Sequence, residues 1–194
     1  MDDAMPVEFA ADREETFRAA SAVLDGFARL NAAKTEAETA FAALPRFVRG
    51  FAESAVSAEI LRQTGQGLPA WAATIEGLTG EVASARGLLE RAENGAALDP
   101  ADRERLRRVA AEVGGQHAGL GRLLRCMEDA PPKVERVPRQ FMNGERRRLA
   151  LENLRAQTGA LRDALAAMPR LEGGLRQVAE AGEASPGHPA DTLR

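Results

Sequence analysis

This sequence of 194 residues contains no tyrosine, one tryptophan, one cysteine and two histidines. Aromatic residues make up 4% of it, so any core must be assembled from Leu, Ala and Val, which favours helix packed on helix over a sandwich or barrel. β-Branched residues are sparse and no stretch alternates between apolar and polar, so no strand is expected. A lone thiol, Cys126, cannot close an internal disulfide or build a zinc site. No run approaches the ~18 apolar residues of a transmembrane helix. The start, Met1-Asp2-Asp3, is acidic where a signal peptide would be basic, so a cytoplasmic location is expected. Among 26 basic residues only Lys34 and Lys133 are lysine. With abundant alanine, that bias is the one expected of a GC-rich bacterial genome.

The chemical inventory is equally short. Neither His117 nor His188 follows a glutamate by three residues, as a helix-bundle di-metal site requires. There is no His-Glu-x-x-His and no phosphate-binding loop. A catalytic triad would depend wholly on His117. The expectation is therefore a protein that is not an enzyme, with no cofactor, no metal and no small-molecule substrate.

What the chain does have is a regular return of apolar residues at every third and fourth position. Leu68, Trp71, Ile75, Leu78, Val82, Ala85 and Leu89 form one unbroken row. At 3.6 residues per turn such a row lies on one side of a helix and must be buried against others. The fold class is all-α: a bundle of about five helices, near 12–44, 46–64, 68–92, 100–128 and 139–181. An N-terminal arm (1–11) is expected to be flexible and a tail (183–194) disordered. Several helices are long enough to resemble coiled-coil segments, and the third and fourth should form a central antiparallel hairpin. Asp99-Pro100 reads as the cap and first residue of the fourth helix. The proline-rich stretch from Ala130 to Pro138 reads as a stiff connector. Pro169 and Gly173-Gly174 should bend or interrupt the last helix.

The first helix sets Ala20, Val23, Phe27, Leu30, Ala37 and Phe41 on its seam, broken by Lys34. Beside them Ala19, Gly26, Ala33 and Ala40 recur every seven residues, a row that would let a neighbouring helix come close. Lys34, and Gln116 on the fourth helix, either fix helix register or mark where a seam reaches solvent.

Charge is unevenly placed. Residues 1–41 hold nine acidic and four basic side chains, and residues 133–176 hold ten basic and five acidic. The first and last helices should therefore lie side by side. Arg148, Arg155 and Arg162 recur every seven residues and should form a charged edge facing carboxylates of the first helix. Phosphate binding is the other reading of these arginines. An acidic pI, about 5.6, and the scarcity of stacking aromatics argue against it, so no nucleic acid is expected.

Two further features carry functional readings. Phe41 to Phe51 concentrates three phenylalanines and two arginines. Arg46, Phe47, Arg49 and Phe51 either fill the end of the bundle or form an exposed amphipathic patch for a partner or a surface. His117 lies among Gly114, Gly115, Gly119 and Gly121. These glycines, each costing about 1 kcal/mol against alanine in a helix, serve close helix crossing, a bend, or exposure of the imidazole. One turn here resembles histidine phosphotransfer domains, whose helix-borne histidine is followed by lysine and glycine at the third and fourth positions. Gly121 matches, whereas Leu120 stands in place of the lysine. In size and alanine-rich character the chain is also similar to phasins, the helical proteins that coat polyester granules.

Taken together, the expected function is a non-enzymatic helical interaction module: an adaptor, scaffold or secretion-type chaperone that binds a protein partner or itself. The alternatives are amphipathic binding to a membrane or storage-granule surface, and signal relay through His117.

Overall fold

A computed structural model describes residues 7–42, 46–140 and 142–181. The chain is an all-α helical bundle. Its helices are α1 (Val7–Ala42), α2 (Arg46–Thr64), α3 (Leu68–Glu93), α4 (Pro100–Glu128), α5 (Pro131–Glu135) and α6 (Gly144–Ala181).

Four long helices, α1, α6, α4 and α3, follow one another round a ring, each antiparallel to its neighbours. Thr16 lies against Gly174 and Ala33 against Asn153 across α1 and α6. Gly114 lies against Glu172 and Glu128 against Arg162 across α4 and α6. On α3, Arg91 pairs with Asp102 near the loop, and Trp71 meets Gly119 at the far end. Phe17 of α1 lies under the guanidinium of Arg86 on α3.

The tightest pair is α1 with α6, and its cause is the row of small residues. Ala19, Gly26 and Ala33 are all buried, while the side chain of Ala40 lies outside the described residues. A Cβ added at Gly26 would sit 2.8 Å from the Ala164 Cβ and 3.0 Å from the Ala160 carbonyl oxygen. By contrast α3 and α4 are antiparallel but splayed. An open groove of about 340 Å³ runs between them, past Gly77, Glu81, Arg108, Glu112 and Gln116.

The apolar rows do what their period requires. Trp71, Leu78, Val82, Ala85 and Leu89 of α3 are buried together with Leu106, Val109, Val113 and Leu120 of α4. Leu161, Leu165, Met168, Leu171 and Leu175 complete the core from α6. Leu68, first in its row, is 40% exposed.

Several boundaries differ from expectation for identifiable reasons. Residues 7–11 are helical rather than part of an arm; residues 1–6 and 182–194 lie outside the described residues. The connector contains a short helix, α5, because Pro131 and Pro132 occupy first-turn positions, where a missing N–H costs nothing. α6 begins at Gly144 and not near 139, since the Asn143 side chain accepts from the Arg146 N–H at 2.9 Å and caps the helix there. α6 runs as one helix through Pro169 and Gly173-Gly174, uninterrupted by either. Gly174 serves contact rather than interruption: a Cβ there would fall 2.0 Å from the Thr16 Oγ1. Asp99 caps α4 as expected, accepting from the Asp102 N–H at 2.7 Å.

α2 and α3 together make one limb of the bundle, broken at residues 65–67. Gly65, with φ +76°, stops α2 by turning its N–H to the Leu61 carbonyl at 2.8 Å. Trp71 fastens the break, its indole N–H donating to Thr64 Oγ1 at 2.9 Å while the ring lies over Gly119 of α4. The glycines around His117 thus divide. Gly114 and Gly119 admit neighbours, whereas a Cβ at Gly115 or Gly121 would meet nothing within 4 Å. Gly115→Ala and Gly121→Ala should each stabilise the chain by up to about 1 kcal/mol, because only the helix cost of glycine is removed. Gly119→Ala should lower stability, since its Cβ would lie 2.9 Å from the Trp71 ring. Urea midpoints of the three variants test this contrast.

Candidate interaction surface

The core occupies one end of the bundle. Between residues 34 and 59, and between 127 and 157, no described side chain is buried. These stretches converge. Ala33 sits beside Asn153 on α6, the Ala42 carbonyl accepts from Arg49 at 3.5 Å, and Glu59 meets Lys133. Among the described residues they therefore make up an end without a buried side chain, the open end, opposite the one that holds the core.

Lys34 marks the transition. It stands in line with Phe27 and Leu30, yet it is exposed and pairs with Glu38 of its own helix at 3.5 Å. On the α6 side the seam residues Leu151 and Leu154 are only half-buried, and Leu149 is 44% exposed. On α2, Val56 is 51% and Leu61 53% exposed. Ala55, Ala58 and Leu61, which share one side of α2 by their spacing, are all exposed. Among its described side chains α2 commits one line, Ile60 and Thr64, to the core, because its main contact is with α4.

A polar clasp holds α2 to α5. The Glu59 carboxylate accepts from Arg62 at 2.8 and 3.0 Å, from Gln63 at 2.6 Å and from Lys133 at 2.7 Å. The hydrogen bonds from Arg62, then those from Lys133 and Gln63, hold its carboxyl far below the usual carboxylate range. A depressed native pKa gives stability that is complete above the ordinary value, near 4.5, and that fades as pH falls toward the native one. Glu59→Gln should therefore be less stable than the parent chain at pH 7, with the gap narrowing below about pH 4.5. Urea titrations at both pH values read this directly. Near the clasp, burial pushes the Cys126 thiol up, with Lys133 partly opposing.

The candidate arginines that are described engage different neighbours. Arg46 is exposed and Arg49 half-buried, while the side chains of Phe47 and Phe51 lie outside the described residues. Arg148 pairs with Glu152 of its own helix and Arg155 is exposed. Arg162 crosses to Glu128 of α4, at 2.7 Å, and not to a carboxylate of α1. α1 and α6 do lie side by side, but an ion pair across them runs the other way, from Arg29 of α1 to Asp163 of α6 at 2.9 Å. Charge balance between segments is thus a poor guide to which helix carries the partner.

His117 is half-buried on α4 and lines neither the α3–α4 groove nor the clasp. The groove itself brings together Glu81, Glu112 and Arg108 without an imidazole or thiol. One carboxylate oxygen of Glu81 is buried without a hydrogen-bond partner. Among the described residues no group of three His, Cys, Asp or Glu could hold a metal ion, and no helix is long and apolar enough to cross a membrane. Leu149, Val56 and the Glu59 clasp were missed by seam counting. The available signal was an apolar residue standing off its helix's main row.

No protein-family model matches this chain, and no curated protein or solved structure matches it either.

Proposed function

We propose that this chain is a non-enzymatic helical interaction module, an adaptor, scaffold or chaperone of the cytoplasm, that holds a protein partner at its open end. One observation carries the reading. A bundle that packs a continuous core at one end leaves Val56 and Leu149 exposed and Leu151 and Leu154 half-buried at the other. Isolated exposed apolar residues are ordinary, but a whole end without a buried side chain among the described residues is a surface lacking its cover. Filling it from outside would bury apolar area that the chain's own helices leave wet.

A photo-crosslinking residue placed at Leu149 should form adducts with a defined protein in the native host. The same residue at Ala83, exposed on α3 at the end that holds the core, should form none. Equal labelling at both positions, or none at either, would remove the reading. The exposure of Val56 and Leu61 on α2 also favours binding to a lipid or granule surface. Flotation of the purified chain with vesicles would support that second reading, and complete recovery in the bottom fraction would end it.

A further inference from the structure

The heptad-spaced arginines of α6 show what their edge does where a neighbour covers it. Arg162 donates to Glu128, the last residue of α4, at 2.7 Å. One heptad toward the open end, Arg155 is exposed and has no ion pair among the described residues. One heptad further, Arg148 folds back on Glu152 at 2.8 and 3.0 Å, an exposed contact within its own helix. Such exposed pairs are weakly held and readily exchanged.

The apolar row runs alongside. Leu165, Leu161 and Thr158 are buried, whereas Leu154 and Leu151, further outward, are half-buried. α4 has ended by this level. α5 packs on α6 with the connector behind it, where Arg147 donates to the Val137 carbonyl, and this short cover leaves the edge of Arg148 and Arg155 open. The same combination of apolar row and basic edge is thus satisfied by α4 below Arg162 and unsatisfied above it.

Resting on the interaction reading, we propose that the partner is an acidic amphipathic helix that docks along residues 148–155 of α6. Its apolar side covers Leu151 and Leu154. Carboxylates spaced seven residues apart meet Arg148 and Arg155 as Glu128 meets Arg162. Contacts of this kind at a rim select the partner more than they hold it, so charge should govern choice while the apolar side supplies affinity.

The test uses the full chain and two synthetic helices that share one leucine row. One carries glutamates seven residues apart on its flank and the other carries lysines there. Fluorescence anisotropy should show the glutamate helix binding at least about tenfold tighter, a preference that weakens with salt. Arg148→Glu with Arg155→Glu should reverse the preference, whereas Arg148→Lys with Arg155→Lys should keep its sign. The reversal also shows that the variant chain is folded. Equal binding of both helices would overturn the acidic partner and leave the interaction module standing. Binding of neither, with Leu149 crosslinks still formed in cells, would do the same. Binding of neither with no crosslinks would remove both. A dimer seen by light scattering and lost in the Glu variant would place a second copy on this edge and overturn the proposal. Flotation with anionic vesicles, lost in the same variant, would overturn it in favour of lipid.

Discussion

Trp71→Ala is expected to destabilise the chain by about 3–5 kcal/mol, the range for removing a fully packed large aromatic side chain. Trp71 is 2% exposed and does three things at once. It fills the space over Gly119, it belongs to the buried row of α3, and its N–H occupies the Thr64 hydroxyl at 2.9 Å. That hydroxyl in turn donates to the Ile60 carbonyl at 2.7 Å, so the ring ties the broken limb to α4. Trp71→Phe should lose less, because most of the volume stays and only the indole hydrogen bond goes. Urea unfolding followed by far-UV circular dichroism measures both. A loss below 1 kcal/mol for the alanine variant would mean that the junction is not packed as described. The chain has a single tryptophan, so in the parent its emission should be blue-shifted when folded and move red on unfolding.

Gly174→Val should be nearly as damaging, about 3 kcal/mol or more, by overpacking. A Cβ at this position would lie 2.0 Å from the Thr16 Oγ1 and 2.9 Å from its Cβ and Cγ2, distances that force the two helices apart. The adjacent Gly173 is the control, because a Cβ there meets nothing within 4 Å. Gly173→Ala should gain up to about 1 kcal/mol from helix propensity alone. Adding Thr16→Ala to the Gly174 variant should recover part of the loss, since two of the three clashing atoms disappear. Thermal or urea midpoints of the set decide it; equal effects at 173 and 174 would contradict the close approach of α1 and α6.

Much of the architecture was legible because helix geometry translates spacing into side. The Ala19, Gly26, Ala33 row announced a close neighbour, and α6 is that neighbour. Lys34, an interruption in the first seam, marks where the filled core ends. The Asp99-Pro100 pair placed the start of α4 to the residue.

What escaped sequence reading depends on which elements meet. α2 has apolar residues on more than one side, and only its contact with α4 selects Ile60 over Leu61 as the buried one. Gly114, Gly115, Gly119 and Gly121 look alike in sequence, yet only Gly114 and Gly119 face a side chain. The candidate surface was half legible. The basic edge of α6 follows from a seven-residue repeat, but its partner at Arg162 depends on the ring order of the helices. The exposed Leu149 has no periodic signature at all.

The even number of limbs in the ring has a practical side. Thr16 near the start of α1 and Gly174 near the finish of α6 lie against each other, at the filled end of the bundle. From Gly174 to Leu149 is 25 residues of helix, or roughly 38 Å at 1.5 Å per residue. A label or a solid support attached to an exposed residue of either helix at that level would therefore stand away from Leu149 and Arg155. Immobilised there, the molecule would hold the basic edge of α6 outward, like a lamp on a post.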